Sequence, residues 1–181
     1  YPEAPVEDLA RSLAADPRPL QVLAAPGAAS LKLGEALARL QAPQVAFRQL
    51  PAVPQIEFDR LLWSADALII RGEDSFVRAQ LAAKPFLWTI YKQEENAHIV
   101  KLKAFMDRIG QAFSPEVNAA WQEMSLAWNE CRWEPRHWKR FRDLAPQLES
   151  GARLWSDRLS GLGSLSRKLA ILIEKEVQLR A

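Results

Sequence analysis

The sequence predicts an α/β protein: a four- or five-stranded parallel sheet with helices between its strands, followed by a helical carboxyl-terminal segment. Two observations carry this. Up to residue 90, short apolar runs of strand length alternate with helical repeats, the pattern of right-handed crossovers between parallel strands. Beyond Tyr91 only helical repeats remain. The expected organisation is a nucleotide-binding type of core over residues 1–112 and a helical segment over residues 113–181 packing on the same domain. A change of character separates the two, not a flexible linker.

Taken in order, Val6, Leu9 and Leu13 share one helix face over residues 6–15, closed by Asp16-Pro17. Leu20–Leu23 is a strand, with Ala25-Pro26-Gly27 turning the chain. Leu31, Leu33, Leu37 and Leu40 predict a helix over residues 29–41, and Val45–Leu50 a second strand. Pro51 and Pro54 bracket a loop before a helix at Gln55–Ala65 carrying Ile56, Phe58, Leu61 and Leu62. Leu68–Ile70 is the third strand, Ser75–Ala83 the next helix and Pro85–Ile90 the fourth strand. Residues 94–110, 115–129, 135–149 and 164–180 follow as helices.

Composition narrows the function classes. Of 181 residues, 49% are hydrophobic and 25% charged, ordinary for a globular chain. A net charge of +2 is too small to argue for nucleic acid by itself. A lone cysteine, Cys131, excludes an internal disulfide and suits a cytoplasmic setting. No apolar run reaches the roughly 18 residues that a membrane span needs. His98 and His137 stand far apart, so no metal is expected. The chain opens on Tyr1 with no secretory signal and is expected to begin part-way through a longer protein.

Residues 67–76, Ala-Leu-Ile-Ile-Arg-Gly-Glu-Asp-Ser-Phe, hold the densest chemistry. A buried strand ends, the chain turns at Gly72, and a helix starts, with Asp74 or Ser75 as its expected cap. Unpaired amides at a helix start, aided by the helix dipole, bind phosphate or diphosphate. Arg71 adds a fork of donors suited to phosphate oxygens. Glu73 places a carboxylate beside that anion site. In open α/β sheets ligands bind beyond the carboxyl ends of strands. Those loops here also carry Gln55, Tyr91, Gln93, Glu94 and Glu95.

A wider set of residues resembles one family. Leu50-Pro51, Pro54-Gln55, Phe58–Trp63, the run Arg71–Gln80, Lys84-Pro85-Phe86, Ile90-Tyr91, Gln93–Glu95, His98, Lys101-Leu102 and Ala104-Phe105 are similar to the protein-arginine rhamnosyltransferases that modify bacterial elongation factor P. Ala127-Trp128-Asn129 also fits. The resemblance is densest from residue 50 to 106. It implies the two-domain glycosyltransferase architecture called GT-B, with this chain as its Rossmann-like, donor-binding carboxyl-terminal domain. It implies dTDP-β-L-rhamnose as donor, elongation factor P as acceptor and no metal. Gln55 would bond the thymine, while Arg71, Ser75 and the amides from Gly72 onward would hold the diphosphate. Asp74 would hold the ribose or cap the helix, and Glu73 would face the rhamnose and the incoming guanidinium. Tyr91 and Tyr1 would line the nucleotide pocket. The paired aspartates of the family's amino-terminal domain are not in this sequence. Ala52 stands where a phenylalanine usually stacks on the thymine, and Thr89 and Lys92 where histidine and proline are more usual. Losing that ring would remove about 1–3 kcal/mol of base contact.

Arginine is a poor nucleophile, because its lone pair is delocalised and its pKa lies above about 12. A nearby carboxylate such as Glu73 can localise its charge and accept the proton, or orient the arginine while an aspartate takes the proton. One displacement from a β donor gives an α product, so the implied enzyme is inverting. A different class stays open: a non-catalytic α/β module using the same loops. The basic, aromatic-interleaved stretch Arg132–Arg142 is compatible with nucleic acid or an acidic protein face. The favoured reading is a solvated helix with Trp133, Trp138 and Phe141 turned inward, so no nucleic-acid partner is expected.

Overall fold

The computed structural model describes residues 3–178, with side chains to residue 175; the Tyr1 assignment lies outside the described residues. Val6, Leu9 and Leu13 fall on one buried face of α1 (Val6–Ala14). β1 (Leu20–Ala24) leads through Gly27 into α2 (Ala28–Leu40), which buries Leu33, Ala36 and Leu37. Leu31 and Leu40, expected on that same face, are exposed. β2 (Val45–Gln49), α3 (Gln55–Ser64), β3 (Leu68–Arg71), α4 (Glu73–Leu81) and β4 (Phe86–Thr89) follow. A 3-10 turn at Glu94–Asn96 precedes α5 (Ala97–Ile109).

The strands are parallel but form two pairs where one sheet was expected. β1 pairs with β2 in the register Leu20↔Val45, and β3 with β4 in the register Leu68↔Phe86. The difference is visible in burial. Strands inside a sheet covered by helices on both faces are buried on both, yet Leu23 and Ile69 are 41% and 42% exposed. Only β4 is buried along its whole length.

β4 is an edge strand, and α6 (Pro115–Asn129) closes that edge. Ser114 caps α6 by accepting from the Val117 amide, and Pro115 occupies its first turn. From α6 the Trp121 indole donates to the Phe86 carbonyl at 3.1 Å. The Asn129 amide donates to the Trp88 carbonyl at 2.8 Å and accepts from the Ile90 amide at 2.9 Å. Residues 86, 88 and 90 share one strand edge by the two-residue period, and Pro85 on the opposite edge accepts from Leu68 of β3. Side chains of α6 therefore stand in for a missing strand and leave those buried backbone groups paired. The Trp128 indole adds a bond to the Thr89 hydroxyl at 2.7 Å.

The helix expected over 135–149 is two helices, α7 (Pro135–Asp143) and α8 (Ala145–Gly161). Pro146 in the first turn of α8 has no N–H to continue the α7 ladder, so the chain breaks at Leu144. α7 lies on α1: Trp133 donates to Ser12, and Trp138 and Arg142 both donate to Asp16. α8 lies on α4, with Trp155 on Gln80 and Ser156 on the Leu81 carbonyl. Six of the seven tryptophans thus place an indole N–H on a partner, since Trp88 donates to the Gly72 carbonyl. In the 132–142 stretch, Trp133 and Phe141 are buried and Trp138 half-buried. Its cations pair with carboxylates: Arg132 with Glu130, Arg136 with Glu134, Lys139 with Asp143, Arg140 with Glu116 and Arg142 with Asp16. The described side chains of α9 (Leu165–Gln178) are exposed, Leu165, Leu169, Ile171 and Leu172 among them. Among the described residues no helix is long and apolar enough to cross a membrane.

Two measurements check this packing. Asn129→Ala leaves a buried carbonyl and amide of β4 unpaired and should cost about 2–3 kcal/mol in denaturant unfolding, against near-neutrality if the amide is incidental. Burial alone would raise the Asp16 pKa, but the Arg18 amide, the Trp138 indole and the Arg142 guanidinium together hold it below its ordinary 3.8. A depressed carboxyl stabilises the fold fully above its unfolded pKa and loses that contribution as pH falls through the folded value. Wild type should therefore lose more stability than Asp16→Asn between about pH 5 and pH 2; parallel curves would contradict this.

Candidate functional site

β3 ends at the exposed Arg71, and the chain turns at Gly72, whose φ of 70° lies in the region glycine adopts without strain. α4 then starts at Glu73, two residues before the expected start. The cap is Gly72, with no side chain bonding the first-turn amides, so the expectation that Asp74 or Ser75 caps the helix is corrected. The early start follows from Gly72, which supplies the turn alone. Glu73, Asp74 and Ser75 become the first three helical residues, whose amides have no intrahelical acceptor. An anion site needs such amides.

Asp74 has other partners. Its Oδ2 accepts from Gln55 Nε2 at 2.8 Å and from Arg78 Nε at 3.0 Å. Arg78 Nη1 lies 2.7 Å from both carboxylate oxygens of Asp59. Gln55 and Asp59 sit one turn apart on α3, as do Asp74 and Arg78 on α4, so four side chains form a bonded row, Gln55–Asp74–Arg78–Asp59, between the helices. Its two carboxylates push the Arg78 pKa further up. Gln55 and Asp74, both singled out in the sequence, are therefore in direct contact.

Glu73 meets Lys101 of α5 at 3.3 Å. The Lys101 ammonium also stands 5.3 Å from the centre of the Trp88 ring. Trp88 stacks on Phe76 at 3.7 Å and donates to the Gly72 carbonyl at 3.1 Å. This aromatic shelf supports the turn from below and joins it to β4. Tyr91, just past β4, is 63% exposed. Thr89 is buried, and its hydroxyl accepts from the Trp128 indole. Ala52 is exposed in the loop before α3. His98 is buried and accepts from the Gln93 amide at 3.3 Å, a structural role.

Lys101, Asp59 and Arg78 are residues of this region without a role in the sequence analysis. Asp74 and Arg78 carry a readable signal, an acid four residues before a base on a helix. The contact of Lys101 with Glu73 depends on how α5 lies over β4 and has no local signature. Among the described residues no cluster of three His, Cys, Asp or Glu side chains could hold a metal ion. Chemically, the site offers first-turn amides and a guanidinium to an anion, an amide and a carboxylate beside them, and a lysine-paired carboxylate at the rim.

Several known proteins are similar to this chain. A family model described as elongation factor P (EF-P) rhamnosyltransferase EarP matches residues 1–174. A protein-arginine rhamnosyltransferase of Neisseria meningitidis is 40% identical over 151 residues, 77% of this chain and 38% of the relative. One of Pseudomonas putida is 45% identical over 120 residues, 66% of this chain and 32% of the relative. This chain thus spans well under half the length of these relatives. A solved structure presented as the structural basis for EarP-mediated arginine glycosylation of translation elongation factor EF-P superposes with a TM-score of 0.79 at 32% identity. That match covers 94% of this chain and 56% of the solved one. The match of nearly all its residues, and a shared fold at that identity, place this chain in the family of elongation factor P rhamnosyltransferases, EarP.

Proposed function

We propose that this chain is the donor-binding, carboxyl-terminal part of an inverting GT-B glycosyltransferase that moves rhamnose from dTDP-β-L-rhamnose to an arginine of elongation factor P in the cytoplasm. The observation that carries this is the turn at Gly72, which opens a helix on the Glu73–Ser75 amides directly after Arg71, with Asp74 of that first turn bonded to Gln55. That is a diphosphate seat adjoining a base-reading amide, the two recognition elements of a nucleoside diphosphate.

In this reading Gln55 bonds the thymine, Asp74 lies near the ribose, and Tyr91 covers the nucleotide. Arg71, Ser75 and the amides that follow Gly72 receive the diphosphate. An acceptor arginine nitrogen attacks the anomeric carbon from the face opposite the leaving group. The carbon–oxygen bond to the diphosphate breaks, its electrons stay on the diphosphate, and configuration inverts. Negative charge grows where Arg71 and the helix start already offer positive potential, so the residues present supply the charge without a metal. The nitrogen sheds one proton to a carboxylate as its bond forms. Glu73 either takes that proton or aligns the guanidinium for an aspartate contributed by the rest of the enzyme, with Lys101 fixing the direction of its carboxylate.

Calorimetry tests the assignment. This chain should bind dTDP without turning over the sugar nucleotide, and Arg71→Ala should weaken binding by about tenfold or more. Glu73→Gln should leave dTDP affinity within about twofold yet abolish transfer in the full-length enzyme. Equal affinity for dTDP and ADP would contradict the donor assignment.

A further inference from the structure

The Asp59–Arg78 pair has no part in the transfer as described, yet it is built into the site. Both side chains are about three-quarters buried, at 25% and 26% exposure. Arg78 bridges α3 to α4 by gripping both oxygens of Asp59 and, through Nε, holding Asp74. A carboxylate only accepts hydrogen bonds. Gln55 must therefore turn its NH2 toward Asp74, as its 2.8 Å contact records, and its carbonyl oxygen points away from that partner. A glutamine without such a neighbour can present either end of its amide.

We propose that Arg78, braced by Asp59, is a positioning residue that sets base specificity: it holds Asp74 so that the Gln55 NH2 stays turned to that carboxylate and the Gln55 carbonyl oxygen is the atom set against N3 of the nucleobase. An acceptor at that point matches the N3–H of thymine or uracil. It opposes the bare N3 lone pair of cytosine, to which only the flipped amide could donate. The specificity comes from forbidding that flip, a repulsive element that rejects the wrong base. This rests on Gln55 reading the base of the donor, as above.

The test compares dTDP with dCDP by calorimetry on this chain, in wild type, Arg78→Met, Arg78→Lys and Asp74→Asn. Wild type should prefer dTDP by about tenfold or more, the scale set by an unpaired polar group at a base edge. Asp74→Asn keeps the shape of the side chain but can donate as well as accept, which frees the amide to invert. It should narrow the preference to about threefold or less, mainly by improved dCDP binding. Arg78→Met should narrow it similarly and Arg78→Lys should restore part of it. If Arg78→Met proves unfolded by circular dichroism, Asp74→Asn decides alone. Variants that weaken both nucleotides in parallel, with the ratio unchanged, overturn the proposal and leave the donor reading standing. Wild type that fails to bind dTDP overturns both.

Discussion

The hydrogen bonds from α6 onto the open edge of β4 are the constraint on which the rest of this molecule leans. An edge strand buried on both faces needs a partner for every backbone group on its outer side. Here two side chains, Trp121 and Asn129, supply those partners from a helix more than thirty residues away in sequence. With β4 fixed, Trp88 is fixed, and its indole holds the Gly72 carbonyl from beneath. The turn then leads from Arg71 straight into the first amides of α4. The helical segment is thus part of the site's foundation through its bonds to β4.

The same logic explains the tryptophan content. An indole buries a large apolar surface while keeping one N–H that must be satisfied. Each of the six placed indoles satisfies that N–H on a different partner, and together they tie α6, α7 and α8 to β4, α1 and α4. Such contacts add direction to burial. The basic stretch through α7 owes its composition to this packing: its aromatics face inward and its cations pair with nearby acids, Asp16 foremost.

The order and type of the elements through β4 were legible because apolar spacing records which face of each element meets the core. Strand pairing was not. Alternation announces parallel strands, but whether β1 hydrogen-bonds to β3 depends on how two crossovers pack, and no local residue encodes that. The break between α7 and α8 could have been read from Pro146, which cannot donate in a helix interior. At the site, the Arg71–Ser75 segment was readable because glycine, arginine and acid at a strand end have a local physical meaning. Of the roles expected for Asp74, the cap is not found, because its partners, Gln55 and Arg78, come together only once α3 lies beside α4. Lys101 shows the opposite limit: its position among the residues that resemble the family was visible, but its pairing with Glu73 follows from tertiary placement alone.

The central claim is that the amides opening α4, aided by Arg71, seat a diphosphate beside the Glu73 carboxylate. A crystal of this chain soaked with thymidine diphosphate measures that directly. The account predicts phosphate density within hydrogen-bond reach of the Glu73–Ser75 amides and the Arg71 guanidinium, with the thymine against Gln55. Well-ordered nucleotide elsewhere, with this corner empty, would contradict it.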